Sequence, residues 1–335
     1  MRIAILTNAY PPSAQGGAGR IAFLQAEGLR ALGHEVRVWH APLKWTNKSV
    51  FWRLLHHLYE LRAVHPVVHA IRAWQPEWLI THNLTGIGFR TPAQLRSAST
   101  GWAHVLHDIQ LFEPSGQVAR SEAVSVWQRA WSLCRRRSLG RPDVVLSPTQ
   151  MLIDLHQTRG FFQTTTNVVL PNPAPVQRIV VRKRHQPLRA LFIGRWSADK
   201  GSELLERLWS RFSPSEVEWS VIGPGTESVH PPAGNGFGVQ DEGQILAHLE
   251  SHDVLVVPSQ ILENQPTVVL EAMSRGLPVI VSDQPGIRET LQGEGVYCST
   301  QDVAAWEQAL QEVRQESEEA YLTRVQAMER MWHRH

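Results

Sequence analysis

Short, nearly continuous apolar runs alternate with amphipathic stretches along the whole chain. RIAILT at 2–7, EVRVWH at 35–40, WLITH at 78–82, AHVLH at 103–107 and DVVLS at 143–147 read as strands, separated by stretches with helical spacing of apolar residues. Strands that are apolar at consecutive positions are buried on both faces, as in a parallel sheet covered by helices on both sides. The first half therefore predicts a doubly wound α/β domain. The second half repeats the pattern with RALFIG at 189–194, EWSVIG at 218–223, VLVVP at 254–258 and PVIVS at 278–282. Between the two sets, LPNPAPVQRIVVRKRHQP at 170–187 is rich in proline and basic residues and holds no helical period, as a linker does. The pattern predicts two Rossmann-like domains, 1–172 and 173–315, with the boundary near Asn172. The tail from Asp302 onward has two helical stretches and no strand. The last of them, within 316–335, ends on Arg and His residues that suit a helix C-terminus, and is expected to pack back on the first domain.

Composition narrows the class. A chain of 335 residues is right for two domains of ~150 residues each. With 42% hydrophobic and 19% charged residues, it buries real cores and is neither disordered nor fibrous. No run approaches the ~18 apolar residues of a membrane span, and the opening MRIAILTNAYPP holds only a short apolar strand, so a cytoplasmic location is expected. Cys134 and Cys298 lie far apart with no partner spacing, which excludes a disulfide framework or a cysteine metal site. The net charge of +2 hides an asymmetry. Residues 1–172 carry 18 Lys and Arg against 9 Asp and Glu, while 173–335 carry 15 against 22. The basic half points to an anionic partner. No helix-turn-helix, zinc or aromatic RNA signature accompanies it, so nucleic acid is not that partner.

Open α/β sheets bind ligands beyond the carboxyl ends of their strands, and four loops there carry chemistry. The first, TNAYPPSAQGGAGR at 7–20, places Gly16, Gly17 and Gly19 before an amphipathic helix. Glycines allow close backbone approach, and a helix start favours an anion. The long proline-containing loop is no dinucleotide fingerprint, which argues against a nicotinamide enzyme. In the second, LHDIQLFEPSG at 106–116, the fourth strand ends in His107 and Asp108, which can bond substrate hydroxyls or influence each other's protonation. In the third, GRWSADKG at 194–201, Arg195 and Lys200 bracket a turn after a strand, a clamp suited to a diphosphate. The fourth, PSQILENQPTVVLEAMSRGLPVIVSD at 258–283, sets Glu263 and Glu271 eight residues apart with Pro266 where a helix begins. Proline there leaves the Thr267 and Val268 amides to phosphate oxygens. Glu271 can accept from vicinal hydroxyls such as a ribose, and Glu263 can face a reacting group.

Together these residues resemble a retaining glycosyltransferase of glycosyltransferase family four, with the GT-B architecture of two Rossmann-like domains facing each other across a cleft. The resemblance spans nearly the whole chain. It rests on the PP…GG loop after the first strand, His107 with Asp108, VLPNP, GRWSADKG, VIGPG, and E-x7-E running into EAMSRGLPVIVSD. It implies that the second domain binds a UDP- or GDP-linked sugar and the first binds a glycan or lipid-linked acceptor. Arg195 and Lys200 then neutralise the diphosphate and Glu271 holds the ribose. Glu263 and His107 contact the reacting sugar, and Gly16 with Gly17 closes over the phosphates. Asn264, Gln265 and Pro266 stand where many members carry glycine, so the two amide side chains are placed to read a sugar hydroxyl. The resemblance also implies retention at the anomeric carbon, with the departing phosphate deprotonating the acceptor. Base recognition is expected within 236–244. Two other readings of the same clamp are a nucleotide-sugar hydrolase or epimerase and a non-catalytic nucleotide-sugar-binding protein.

No cofactor and no metal are expected. There is no Asp-x-Asp to hold Mg²⁺ on a diphosphate, and Pro66 interrupts the i,i+4 pair His65 and His69. Finally, SVFWRLLHHLYELRAVHPVVHAIRAW at 49–74 and WQRAWSLCRRR at 127–137 mix aromatic and basic residues as a helix resting on an anionic membrane surface does.

Overall fold

The computed structural model describes residues 1–11, 17–40, 49–97, 99–113 and 126–334. It divides into two compact units, Met1–Pro173 and Ala174–His335.

Among the described residues, the first unit holds six parallel strands. They are β1 (Arg2–Thr7), β2 (Glu35–His40), β3 (Trp78–Thr81), β4 (Gly101–Val105), β5 (Val144–Ser147) and β6 (Thr166–Val169), in the order β2-β1-β3-β4-β5-β6. Its helices among the described residues are α1 (Gly17–Ala31), α2 (Val50–Glu60), α3 (Val67–Trp74), α4 (Thr91–Leu95), α5 (Val126–Leu139) and α6 (Gln150–Thr158). One sheet face buries Ile3, Ile5 and Val36 against Ala26 of α1, and the other buries Leu6, Leu79 and Trp102 with Ile71 of α3. Because both faces are covered, the strands read as apolar runs rather than as alternation.

The second unit repeats the plan. Its strands are β7 (Leu188–Ile193), β8 (Val217–Ile222), β9 (Gly234–Gly236), β10 (Val254–Val257), β11 (Val279–Ser282) and β12 (Val296–Cys298), in the order β12-β11-β10-β7-β8-β9. The helices are α7 (Ser202–Trp209), α8 (Glu242–Ser251), α9 (Thr267–Met273), α10 (Pro285–Leu291), α11 (Val303–Gln315) and α12 (Glu318–Arg334). α12 sets Tyr321, Val325, Met328 and Met331 into this unit's cores and packs against α9. β7 and β10 are neighbours although β8 and β9 intervene in sequence, so the strand order reverses between them. That reversal opens a crevice beyond the strands' carboxyl ends.

Three edge strands, β6, β9 and β12, go beyond the nine apolar runs. The expected fourth strand also ends early, at Val105, so His107 lies in the loop rather than in the strand. The proline-rich segment 170–187 has no helix or strand but is strapped to the second unit. Arg182 donates to the carbonyls of Leu249, His252 and Arg275, Arg178 pairs with Glu250, and His185 pairs with Asp253. Pro66 caps α3 and leaves His65 outside it, with the Val67 amide donating to His65 Nδ1 at 3.2 Å. Among the described residues, no helix is long and apolar enough to cross a membrane.

α2 is attached the wrong way round for a core helix. Among its described side chains the buried ones are His57 and Glu60, while Phe51, Trp52, Leu54, Leu58 and Tyr59 are exposed, Tyr59 at 70% and Phe51 at 65%. Glu60 accepts from the Gly86 amide at 2.5 Å, and Arg135 of α5 reaches His57 Nδ1 at 3.3 Å. The Arg135 guanidinium lies over the Phe89 ring at 3.5 Å, and burial pulls its pKa down to about 9.

Burial also holds four imidazoles of the first unit neutral. It lowers His104 to about 3 and His107 and His156 to about 4, and holds His82 well below its ordinary value. In the second unit His252 falls to about 4 for the same reason and His248 is lowered. A histidine that folding keeps neutral adds no pH dependence above ~6.5, where both states are neutral. Between ~6.5 and the depressed value the unfolded chain binds the extra proton, so stability falls with pH by roughly 1.4 kcal/mol per pH unit for each such group. Calorimetry from pH 7.5 to 5 is expected to show the first unit's transition falling faster than the second's. A first-unit transition that does not move over that range contradicts the burial of these rings as neutral groups.

Candidate active site

The crevice of the second unit is built by the loops after β7 and β10. β7 ends at Ile193, and the chain passes Gly194 so close to the β8 loop that a Cβ on Gly223 (φ +130°) would lie 2.2 Å from the Gly194 carbonyl oxygen. Trp196 then packs on Trp209 of α7 with ring centroids 5.4 Å apart, fixing the direction of the loop. A single 3₁₀ turn, Ala198–Lys200, delivers Asp199 and Lys200. It stops at Gly201 (φ +88°), where a Cβ would meet the Pro258 carbonyl oxygen at 2.2 Å. Only glycine lets the two loops meet this closely.

Across that contact, Lys200 Nζ donates to Glu263 Oε1 at 2.5 Å. Ser259 Oγ donates to the same oxygen at 2.5 Å. The Glu263 amide donates to Gln284 Oε1 at 2.7 Å, and Gln284 Nε2 donates to the Ser259 carbonyl at 2.7 Å. The Gln260 amide donates to the Asp199 carbonyl at 2.9 Å, so the loops are joined through backbone as well as side chains. Arg195 pairs with Asp199 at 3.0 Å, its side chain 60% exposed. The two cations predicted to clamp a diphosphate thus each rest on a carboxylate.

α9 starts at Thr267. Pro266 is its N-cap, in extended conformation and without a side-chain cap, rather than its first helical residue. The Thr267 and Val268 amides lie in the first turn, where amides have no acceptor within the helix. Glu271 sits one turn further on, at 4% exposure, between Leu270 and Ala272. Gln265 is buried as well, and Asn264 lies beside it in the loop. A cation, a bonded carboxylate, a helix start and a buried carboxylate therefore share the loops at one sheet reversal.

In the first unit, Gly17 opens α1, and Gly16 with the rest of 12–16 lies outside the described residues. His107 and Asp108 do not bond each other as a pair. Asp108 accepts from Asn83 Nδ2 at 3.1 Å and from the Gln110 amide at 2.8 Å, and burial raises its pKa. His107 Nε2 instead lies 2.7 Å from Nδ1 of His82, the residue that follows β3. Sequence reading missed His82, Ser259 and Gln284. His82 ends the apolar run WLITH, just as His107 ends AHVLH, and that parallel was the available signal. Nothing in the sequence marks Ser259 or Gln284, whose roles depend on the β10–β11 neighbourhood.

Residues 187–316 match the family model described as glycosyl transferases group 1. That segment, which makes up most of the second unit, is similar to the group 1 glycosyl transferases. The putative teichuronic acid biosynthesis glycosyltransferase TuaC of Bacillus subtilis (strain 168) is 24% identical over 86% of this chain and 82% of its own. An uncharacterized 42.6 kDa protein of the cps region of Klebsiella pneumoniae is 21% identical over 86% and 87%. Among solved structures, sucrose-phosphate synthase from Thermosynechococcus elongatus superposes with a TM-score of 0.70 at 18% identity, over 99% of this chain and 96% of its own. The whole chain has the α/β GT-B fold of these glycosyltransferases, and the Lys200–Glu263 crevice falls inside the group 1 segment.

Proposed function

We propose that the chain is a retaining, metal-independent hexosyltransferase. It moves a sugar from a UDP- or GDP-linked donor to a hydroxyl of a glycan or lipid-linked acceptor, in cell-surface polysaccharide or glycolipid biosynthesis. The observation that carries this reading is the meeting of Lys200, Glu263 and the start of α9 at the β7/β10 reversal. The teichuronic acid name of one relative and the cps origin of the other support the biosynthetic setting.

In this reading Lys200 leaves Glu263 for the β-phosphate, and the exposed Arg195 joins it. The Thr267 and Val268 amides meet phosphate oxygens, Glu271 accepts from the ribose hydroxyls, and residues 236–244 meet the base. Glu263, released by Lys200, turns with Asn264 and Gln265 to the sugar, which His107 also contacts. Gly16 and Gly17 close on the phosphates. The bond from the anomeric carbon to the phosphate oxygen breaks as the acceptor oxygen bonds the same face of that carbon. The acceptor's proton passes to the departing phosphate oxygen. The two cations stabilise the charge that develops there, so the reaction needs neither a covalent nucleophile nor a metal.

The basic first unit takes the acceptor at a membrane surface. α2 anchors itself through polar residues and turns its aromatic and leucine side chains outward, the arrangement of a helix lying in a lipid interface. Net positive charge in the same half draws it to anionic lipid, placing a cytoplasmic enzyme peripherally on the inner face.

A thermal-shift titration in EDTA with UDP, GDP and their sugar conjugates tests the donor site. One nucleotide at a hundred times its Kd is expected to add about 2.7 kcal/mol. Glu271→Ala is expected to abolish that gain, and Lys200→Met to weaken it sharply. No stabilisation by any of them at millimolar concentration would sink the reading. Flotation with anionic vesicles at low salt tests the surface: the protein is expected to float and Trp52→Glu to stay behind, whereas no flotation of the unaltered protein removes the membrane from the account.

A further inference from the structure

In the first unit His107 is paired with a second imidazole, His82, to which the proposed transfer gives no role. His82 follows β3 and His107 lies two residues beyond β4, so adjacent parallel strands carry the two rings to the same sheet end. His82 Nδ1 and His107 Nε2 are 2.7 Å apart, with ring planes 17° from parallel. At that distance one nitrogen donates and the other accepts.

Two arrangements satisfy the bond. In one, His107 donates from Nε2, and neutral His82 must then carry its single proton on Nε2. In the other, His82 donates from Nδ1 and its Nε2 holds only a lone pair. His82 is fully buried, and its Nε2 has no hydrogen-bond partner. An orphaned buried N–H is rarer and costlier than an unmatched acceptor. Doubly protonated His82 would strand the same N–H and bury a charge beside it, and burial indeed holds both rings neutral. The second arrangement therefore stands.

We propose that His82 is a positioning residue that donates from Nδ1 to His107 Nε2, so that His107 carries its own proton on Nδ1. A neutral imidazole is an acceptor on one nitrogen and a donor on the other, and the bond to one nitrogen sets the role of its opposite. His82 thereby makes the other nitrogen of His107, Nδ1, a hydrogen-bond donor. Such a nitrogen suits a sugar hydroxyl oxygen and rejects a group that offers only a proton. This role of His107 in sugar recognition rests on the function proposed above, whereas the tautomer itself does not.

The test is long-range ¹H–¹⁵N correlation on the full chain labelled with ¹⁵N-histidine at pH 7.5, with His107 assigned by loss of its signals in His107→Gln. His107 is expected to show a protonated Nδ1 and a bare Nε2. His82→Asn, which places a side-chain N–H near the position of Nδ1, is expected to keep that pattern, and His82→Leu to move the proton to Nε2. A protonated Nε2 on His107 in the unaltered protein overturns the proposal, and that reading needs no variant to fold. The kinetic arm uses the donor and acceptor identified for transfer. His82→Leu is expected to lower kcat about tenfold or more by misplacing a contact group, with donor binding unchanged and His82→Asn restoring most of the rate. A shifted tautomer with unaltered kcat overturns the positioning role, while the nitrogen signals still decide the pairing.

Discussion

One hydrogen-bonded ion pair, Lys200 to Glu263, joins two loops that are 63 residues apart in the chain and adjacent in the sheet. Both groups are partly exposed, at 25% and 16%, so the pair adds little to stability by itself. Its significance is positional. The close contact of Gly201 with Pro258, the Gln260 amide on Asp199 and the Gln284 bridge hold the two loops where the pair forms. A lysine held on a carboxylate is already oriented, which in the proposed function lowers the reorganisation needed when a phosphate replaces that carboxylate.

The two units solve related problems with opposite chemistry. The second unit gathers formal charges at its sheet reversal and balances them in pairs, Lys200 with Glu263 and Arg195 with Asp199. The first unit gathers imidazoles at the ends of β3 and β4, and burial strips them of charge. In each unit the same βα topology sets these groups on loops beyond the strand ends.

Nine of the twelve strands were legible as apolar runs because burial on both faces writes itself into consecutive residues. β6, β9 and β12 were not. β9 is Gly-Asn-Gly and β12 only three residues, and three of the four residues of β6 are exposed, so these three leave no apolar run. Arg195, Lys200 and Glu263 stand out as candidates because they are charged residues in loops beyond buried strands, and Glu271 because of its eight-residue spacing from Glu263. Their pairing was not legible, since it depends on which loops the sheet order sets side by side. Likewise, proline and basic content marked 170–187 as a linker, but composition does not reveal that Arg182 spends its guanidinium on three carbonyls of the second unit.

In the proposed function the Lys200–Glu263 pair reserves the place of a diphosphate. A crystal structure with a bound nucleoside diphosphate tests it most directly. The account predicts Lys200 Nζ on the β-phosphate and withdrawn from Glu263, with the ribose hydroxyls on Glu271. A diphosphate bound elsewhere, or bound while Lys200 stays on Glu263, would contradict it.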